Sequence, residues 1–289
     1  MNWLNFFQEL ADIMKHMGKL AILTVIFKNY TILDDYFATL AKQTDKNFHV
    51  YVVDLTPEPQ NYTYPSFVTC ILDINKGYAY GINRGIKQAI ADKYELFCCM
   101  NSDVSVEKHF VENITKSVSQ SSTSLIGGKI YYAPGYEYHK QRYNENDKGN
   151  VLWYAGGSTD WKNAFTIHRG VDEVDKGQYN KLEMTTFITG CFMAFDKKVI
   201  DKLGFWDESY FLFYEDADFC ARAMKASIPL IYDPLIIMWH KSGQSTSGAA
   251  STFQQKYLEQ NRLKFGLKFA PWKTKLHLIK NYFIQKLIN

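Results

Sequence analysis

The chain has 289 residues, 46% of them apolar, and a formal net charge of +3 at pH 7, which suits a globular protein with one large core or two modest ones. The longest apolar runs, such as residues 20–27, are far shorter than the ~20 residues that a membrane-spanning helix needs, and no signal-peptide core is evident. We therefore expect a cytoplasmic protein, either free or peripheral on the inner face of the cell membrane.

Charge is distributed unevenly along the chain. From Ser251 onward the sequence has eight basic residues and one acid, a net +7, so the preceding part carries a net −4. No nucleic-acid motif accompanies these basic residues, so we expect no nucleic-acid partner. The five cysteines lie in apolar or strand-like runs without metal-ligand spacing, which indicates buried thiols and a reducing compartment.

The first hundred residues alternate β-rich apolar runs with helical patterns. An amphipathic pattern at 2–17 predicts a leader helix. Beyond it, strands are predicted at 20–27, 48–54, 66–73 and 94–103, and helices at 31–42 and 78–91. This order predicts a parallel α/β sheet. Ligands bind such sheets at the carboxyl ends of the strands, where the sequence has Asp54, Asp73 and Asn101 to Asp103.

A stretch rich in glycine and asparagine, NKGYAYGINRGIKQA, begins at Asn75. Gly77, with Asn75 and Asn83, lets backbone and short amides approach an anion at a helix start. The G-x-G-x-x-G and Walker A orders are absent, which argues against hydride transfer and P-loop hydrolysis. The alternative is that the glycines allow a helix and the sheet to pack closely, and for Gly81 this is the favoured interpretation.

Asn101-Ser102-Asp103 follows an apolar strand directly. A carboxylate at this position can hold a divalent cation between the protein and a substrate diphosphate. Alternatively, Asp103 caps a helix formed by VSVEKHFVENI, for which Ser105 is an equally good cap.

Farther on, the polar, Tyr-rich residues 133–182 predict loops and short strands, whose aromatic side chains belong either to sugar-stacking surfaces or to the core.

Residues 186–195 predict a strand with Gly190 in its middle, where a close backbone or ligand approach is expected. The next segment, GFWDESYFLFYEDADFCAR, leads through aromatic residues to a helix start at Glu215 and Asp216. Asp218 has Arg222 four residues on as a helical partner, so Glu215 and Asp216 are the acids without a local partner. The alternative is that both acids merely stabilise the positive end of that helix.

Four stretches together carry a resemblance to a known family. They are NKGYAYGINRGIKQA, the strand ending MNSD, TGCFMAFDKKVIDKLGFWDESYFLFYEDADFCARA, and a strand ending in Trp239-His240. In this order the chain, over about residues 20–245, resembles the family 2 inverting glycosyltransferases of the GT-A fold, particularly the rhamnosyltransferase-like members.

The resemblance implies a domain organisation. A GT-A domain would occupy residues 19–245, with a Rossmann-like nucleotide-sugar-binding half at 19–104, built on a mostly parallel central sheet, merged with an acceptor-binding and catalytic half at 105–245. Amphipathic helices would flank it, as a leader at 1–18 and a basic helical extension at 246–289.

The resemblance also implies roles for individual residues. Asp103 and His240 would hold Mg²⁺ or Mn²⁺ on the donor diphosphate, and Asp216 would be the catalytic base, assisted by Glu215. The residues expected at the nucleotide sugar are Asp54, Asp73, Asn75, Gly77, Asn83, Asn101 and Asp103. Those expected at the acceptor are Gly190, Trp206 and Glu215.

The implied reaction moves a sugar, with rhamnose a candidate, from a dTDP- or UDP-linked donor to a hydroxyl of a growing glycan or lipid-linked acceptor in cell-surface polysaccharide and cell-wall synthesis. The alternative is an inactive GT-A-like scaffold that binds nucleotide sugar in a polysaccharide-assembly complex; the presence of Asp216 and His240 argues against it. A glycosidase would need two carboxylates flanking one bond and would bind neither nucleotide nor metal. The glycine-rich stretch and Asn101-Ser102-Asp103 therefore argue against a glycosidase.

Lysines stand beside Leu, Ile and Phe at helical spacing on both sides of Pro271. This pattern predicts contact with an anionic membrane surface, which would suit a lipid-linked acceptor. A solvated helical face is the alternative, and self-association of the chain is also compatible with the sequence.

Overall fold

The computed structural model of the protein describes residues 18–243 and 252–288, so the predicted leader helix lies outside the described residues, apart from Gly18. The strands are β1 (Leu20–Ile26), β2 (Phe48–Asp54), β3 (Val68–Leu72), β4 (Leu96–Met100), β5 (Val104–Val106), β6 (Leu125–Tyr132), β7 (Leu152–Tyr154), β8 (Gly157–Asp160), β9 (Phe165–His168), β10 (Glu183–Met184), β11 (Phe192–Asp196) and β12 (Leu230–His240). The helices are α1 (Leu33–Ala41), α2 (Tyr78–Ala91), α3 (Phe110–Gln120), α4 (Lys197–Leu203), α5 (Glu215–Lys225), α6 (Thr252–Phe269) and α7 (Trp272–Ile288).

One large sheet runs through the molecule in the order β10-β12-β6-β11-β4-β1-β2-β3, with β5 beside β12 and β7 beside β6. Strands β4, β1, β2 and β3 are parallel, which confirms the α/β arrangement predicted for the first hundred residues. Strand β11 is antiparallel to both β4 and β6 and joins this half to the parallel pair of β6 and β12.

Helix α2 lies close against the sheet because two of its positions lack a side chain. A Cβ atom at Gly81 would stand 2.6 Å from a methyl group of Val25, and one at Gly85 would stand 3.2 Å from a methyl group of Leu23. The close-packing interpretation of Gly81 is therefore confirmed.

Two predicted elements differ from the structure. Val104–Val106 is strand β5, antiparallel to β12, and the following helix begins only at Phe110, so neither Asp103 nor Ser105 caps a helix. The strand predicted over 186–195 begins at Phe192, whose N–H donates to the carbonyl of Thr189 at 3.2 Å in a turn. The first difference arises from pairing with a strand distant in sequence, which local patterns do not encode.

The C-terminal helices pack on the body of the protein. Phe265 of α6 is fully buried, with its ring 5.6 Å from that of Trp161 and 5.4 Å from that of Tyr214. Helix α7 returns along α6, where Gly266 leaves room for Leu278. Across the described ranges, each helix is too short or too polar to cross a bilayer.

Candidate active site

Strand pairing brings Asp103 and His240 together. His240 is in register with Val104, and the N–H of Lys241 donates to the backbone carbonyl of Asp103 at 2.8 Å. The Asp103 Oδ1 and His240 Nε2 atoms are 3.3 Å apart, and both side chains are buried. A carboxylate after β4 and an imidazole at the end of β12 thus form a single cluster.

The indole of Trp153 lies between His240 and a second histidine, His168. The ring of Trp153 lies edge-on to His240 at 4.6 Å and to His168 at 4.5 Å. Burial lowers the pKa of His168 to about 4, against the opposing effect of a hydrogen bond to the Trp153 carbonyl, so His168 is neutral near pH 7. The Nδ1 atom of His240 has no hydrogen-bond partner within the residues that the structure describes.

The donor atoms of this cluster suit a divalent cation in part. Asp103 and His240 offer one carboxylate and one imidazole, ligand types that divalent cations accept. Residues 18–243 and 252–288 contain no group of three or more His, Cys, Asp or Glu side chains arranged to hold a metal ion. The two residues therefore fit a cation whose remaining ligands come from substrate phosphate oxygens or water.

Glu215 and Asp216 begin helix α5 after a turn of unusual backbone geometry. Phe213 and Tyr214 both have positive φ, 67° and 70°, a conformation that costs non-glycine residues free energy. The Tyr214 hydroxyl donates to the carbonyl of Ala164 at 3.0 Å, which helps to hold the turn. The acid pair is thus presented by a strained turn that tertiary contacts maintain.

Gly190 fixes the orientation of Asp216. Its N–H donates to Asp216 Oδ2 at 2.8 Å, and the N–H of Ala217 donates to Oδ1 at 2.7 Å. A Cβ atom at Gly190 would stand 3.2 Å from the Asp216 Cβ, so the close backbone approach predicted at this glycine is present. The Tyr78 hydroxyl donates to the Gly190 carbonyl at 2.9 Å and ties the turn to α2.

Burial shifts both acids of the pair in the same direction. Burial first, and then the charge of Asp216, raise the pKa of Glu215 well above its ordinary value. Its Oε2 atom has no hydrogen-bond partner among the described residues. Burial also raises the pKa of Asp216, against the N–H groups of Gly190 and Ala217, which favour the anion.

Cys191 links the acid pair to the Asp103 cluster. Its carbonyl accepts the N–H of Asn101 at 3.0 Å, directly after β4. Burial, followed by the charges of Asp103 and Asp216, raises the pKa of its thiol. The adjacent residues Gly190 and Cys191 therefore connect Asp216 to the end of β4 that leads to Asp103.

Asp54 and Asp73 lie side by side at the carboxyl edge of the sheet, where the Asp73 N–H donates to the Asp54 carbonyl at 3.1 Å. The Asp54 carboxylate accepts the Tyr30 hydroxyl at 2.5 Å and is almost wholly buried. The Asp73 carboxylate accepts from Arg84 at 2.6 Å. Their predicted contacts with the nucleoside stay predictions.

Asn75 and Gly77 shape the start of α2. The Asn75 side chain accepts the Gly77 N–H at 3.0 Å. Gly77 has a φ of 100°, and a Cβ atom there would stand 2.2 Å from the Phe211 carbonyl oxygen. The approach of the acidic segment therefore requires a glycine at this position, whatever its contact with a donor.

The side chain of Asn83 is hydrogen-bonded to the backbone of Trp206. The Asn83 amide accepts the Trp206 N–H at 3.0 Å and donates to its carbonyl at 2.9 Å. The indole is 2% exposed and lies parallel to the ring of Phe219 at 5.2 Å. Both residues thus have structural partners, and their predicted contacts with donor and acceptor stay predictions.

The predicted pair of Asp218 and Arg222 is present, with 2.7 Å between Oδ1 and Nε. Sequence reasoning missed its third member, Lys268 of α6, whose Nζ lies 2.5 Å from Asp218 Oδ2. It also missed His168, and it named Trp153 only as an aromatic residue that stacks on a sugar or belongs to the core, without predicting its position beside His240. No local signal identifies these residues, because each reaches the site from a distant part of the chain.

Comparison with known proteins identifies the family. The model of "Glycosyl transferase family 2" matches residues 21–204, more than half of the chain. The chain belongs to this family. The matched range includes Asp103 and Gly190 and ends before Glu215, Asp216 and His240.

A relative of this family 2 chain is the low-salt glycan biosynthesis hexosyltransferase Agl10 of Haloferax volcanii, 22% identical over 157 residues. The match covers 53% of this chain and 45% of Agl10, so the chain spans less than half the length of that relative. The crystal structure of GalNAc-T7 with UDP, GalNAc and Mn²⁺ superposes with a TM-score of 0.61 at 12% identity, over 77% of this chain and 43% of that one. This likeness confirms the predicted GT-A fold.

Proposed function

We propose that the protein is an inverting glycosyltransferase that moves a hexosyl group from a nucleoside diphosphate sugar to a hydroxyl of a glycan or lipid-linked acceptor. The observation that carries the proposal is Asp216, oriented by Gly190 and joined through Cys191 to the cluster of Asp103 and His240. Family membership supports it, as do the printed activity of Agl10 and the UDP and Mn²⁺ in the GalNAc-T7 structure.

Asp216 is the proposed general base. Two backbone N–H groups fix its carboxylate, and its raised pKa makes it a better proton acceptor than an exposed aspartate. It takes the proton of the acceptor hydroxyl as that oxygen bonds to the anomeric carbon. The bond from this carbon to the phosphate oxygen breaks, and the nucleoside diphosphate leaves with the electron pair. A single displacement inverts the anomeric configuration.

Glu215 has a different proposed role in the same step. Two backbone N–H groups favour the charged form of Asp216, whereas Glu215 Oε2 has no hydrogen-bond partner among the described residues and burial raises its pKa, so we assign the proton of the pair to Glu215. A protonated carboxyl group donates a hydrogen bond, so Glu215 orients an acceptor oxygen and leaves Asp216 as the base.

Asp103 and His240 are the proposed holders of Mg²⁺ or Mn²⁺, which supplies positive charge to the departing diphosphate when bound. Asp54 and Asp73 are proposed to lie near the nucleoside. A dTDP- or UDP-linked donor, rhamnose among the sugars it carries, and a role in polysaccharide synthesis are the finer parts of the proposal. They rest on the sequence resemblance.

A nucleotide-sugar panel tests the function. UDP-, dTDP- and GDP-sugars are added to the chain with Mn²⁺, and its unfolding temperature is measured. A donor at 100 times its Kd stabilises the folded state by about 2.7 kcal/mol. We expect one nucleotide class to raise the unfolding temperature and its sugar to be transferred. Binding without transfer or hydrolysis would favour the inactive scaffold instead.

Variants test the cation site. Asp103→Asn and His240→Ala should each lose the increase in nucleotide affinity that Mn²⁺ gives, and Asp103→Asn should lose more because a charge is removed. Matched controls are the exposed Asp201→Asn and His139→Ala. Equal nucleotide affinity in Mn²⁺ and in excess EDTA for the unmodified chain would exclude a cation at this site.

A further inference from the structure

Helix α7 has one face that packs on the body of the protein. The Thr274 hydroxyl donates to the carbonyls of Trp161 and Lys162 at 3.1 and 3.2 Å. Four residues on, Leu278 is buried over Gly266, where a Cβ atom would stand 2.1 Å from a leucine methyl group. This inner face anchors the helix and fixes which of its residues point outward.

The opposite face of α7 is also apolar. Its members recur at intervals of four, three and four residues, which forms a single stripe on a helix of about 3.6 residues per turn. They are Trp272, Leu276, Ile279 and Phe283, with 66%, 58%, 38% and 60% of their surface exposed. The stripe lies across the helix from Thr274 and Leu278, so the body of the protein does not cover it.

Basic residues flank this outer stripe. Lys273, Lys275 and Lys280 lie beside it, and the sequence from Trp272 to Ile288 contains no acid. None of the three lysines forms a salt bridge within the part of the chain that the structure describes. When such a stripe enters an apolar phase, the long apolar stems of flanking lysines let the ammonium groups reach the surrounding water.

We propose that the outer face of α7, defined as Trp272, Leu276, Ile279 and Phe283 with the flanking lysines, docks on an anionic lipid bilayer. The stripe would enter the boundary between headgroups and acyl chains, and the lysines would contact the lipid phosphates. A second copy of the chain suits this face poorly, because symmetric pairing would bring the lysines of both copies together without an acid to neutralise them. An anionic membrane surface supplies apolar acyl chains for the stripe and negative phosphates for the lysines.

Sedimentation of the full chain with vesicles tests this inference. The vesicles are phosphatidylcholine alone, or phosphatidylcholine mixed with phosphatidylglycerol, at low and high salt. The variants are Leu276→Ser with Phe283→Ser, and Lys273→Glu with Lys280→Glu. A matched control, Leu182→Ser with Leu235→Ser, removes two leucines of similar exposure from other surfaces.

We expect the unmodified chain and the control to sediment with the anionic vesicles at low salt. Both α7 variants should bind at least about tenfold more weakly, and salt should weaken binding of the unmodified chain. Because the replaced residues are exposed, the unfolding temperature should change little, which separates lost binding from lost folding.

Three outcomes would overturn the proposal. The first is equal sedimentation of the unmodified chain and the Leu276→Ser, Phe283→Ser variant with anionic vesicles. The second is a dimer that this variant abolishes, without vesicle binding, since a second copy would then cover the face. The third is vesicle binding only after removal of residues 1–17, since that segment would then be the occupant.

Discussion

The side-chain amide of Asn261, on helix α6, donates a hydrogen bond of 3.0 Å to the backbone carbonyl of Phe213. The same amide donates to the carbonyl of Leu212 at 2.8 Å, and Asn261 is almost wholly buried. Phe213 is the first of the two left-handed residues that precede the acid pair. A helix beyond the range of the family match therefore holds the turn that presents Asp216.

Replacing Asn261 by leucine should release this turn. The change keeps the number and branching of the side-chain heavy atoms but removes two hydrogen bonds, each worth ~0.5–1.5 kcal/mol, and leaves two carbonyls without their donor. Residues held at positive φ store ~1–3 kcal/mol each, so the turn can relax and displace the acid pair. We expect kcat to fall at least tenfold with little change in the KM for the donor.

Asn281→Leu is the matched control, because it makes the same exchange at the partly exposed surface of α7. Steady-state kinetics and thermal unfolding of both variants separate positioning from stability. Equal turnover in the two variants would show that Asn261 has no part in presenting Asp216.

The sequence predicts much of the sheet but few of the contacts that hold the turn before Glu215 and Asp216. Strands β1 and β2 are buried along both faces, so their unbroken apolar runs mark them within a residue or two. The turn at Gly190 reads as strand because its apolar neighbours continue the pattern, while its N–H turns to Asp216 instead of a neighbouring strand. Contacts made by Asn261 have no local signature, since it meets residues about fifty positions earlier.

The contribution of Asp218 to stability is likewise not predictable from its local sequence. The i, i+4 spacing with Arg222 predicts an exposed pair worth at most ~0.5 kcal/mol. The Asp218 side chain is instead fully buried between Arg222 and Lys268. Asp218→Asn removes a fully buried carboxylate and its two charge-assisted hydrogen bonds, but Arg222 and Lys268 are 19% and 38% exposed and keep other partners, so we expect a cost of about 1.5–3 kcal/mol. We expect a large fall in the free energy of unfolding, measured by urea denaturation.

Asp201→Asn is the control for this change. Lys197 and Asp201 have the same i, i+4 spacing on α4, but the carboxylate is largely exposed. Its loss should change the free energy of unfolding by no more than ~0.5 kcal/mol. Similar losses for Asp201→Asn and Asp218→Asn would mean that burial adds nothing to the Asp218 cluster.

Asp216→Asn should remove the proposed base while keeping the shape of the side chain. We expect transfer to fall by about 10²–10⁴ with little change in donor affinity. In the unmodified protein, kcat should rise with pH through an apparent pKa above the ordinary aspartate value of 3.8, because burial favours the protonated form. This acidic limb should be absent from the residual activity of Asp216→Asn.

Turnover and donor binding decide this prediction. Asp218→Asn, corrected for its folded fraction, is the comparison, since its carboxylate is already paired on both oxygens. Near-normal turnover in Asp216→Asn, or a larger loss in Asp218→Asn, would place the base elsewhere.

Glu215 should make the stability of the protein depend on pH. Burial and the nearby Asp216 raise its pKa in the folded state above the ordinary 4.5, and the unfolded chain restores the ordinary value. Folding therefore favours the protonated acid, and stability from this group is complete below the unfolded pKa and lost as pH rises through the folded pKa. At neutral pH the folded protein must keep a proton on Glu215 or bury its charge, and both cost stability.

Glu215→Gln removes this titration while preserving the size of the side chain. We expect the variant to be more stable than the unmodified protein near pH 7, with the difference shrinking as pH falls toward 4.5 and disappearing below it. Thermal unfolding from pH 4 to 8 measures the difference, and Glu58→Gln at an exposed position is the control. A difference that is constant across this range would mean that folding does not raise the pKa of Glu215, and one that grows toward acid pH would mean that the folded protein stabilises its charged form. In that case the assignment of Glu215 as hydrogen-bond donor and Asp216 as base would have to be reversed.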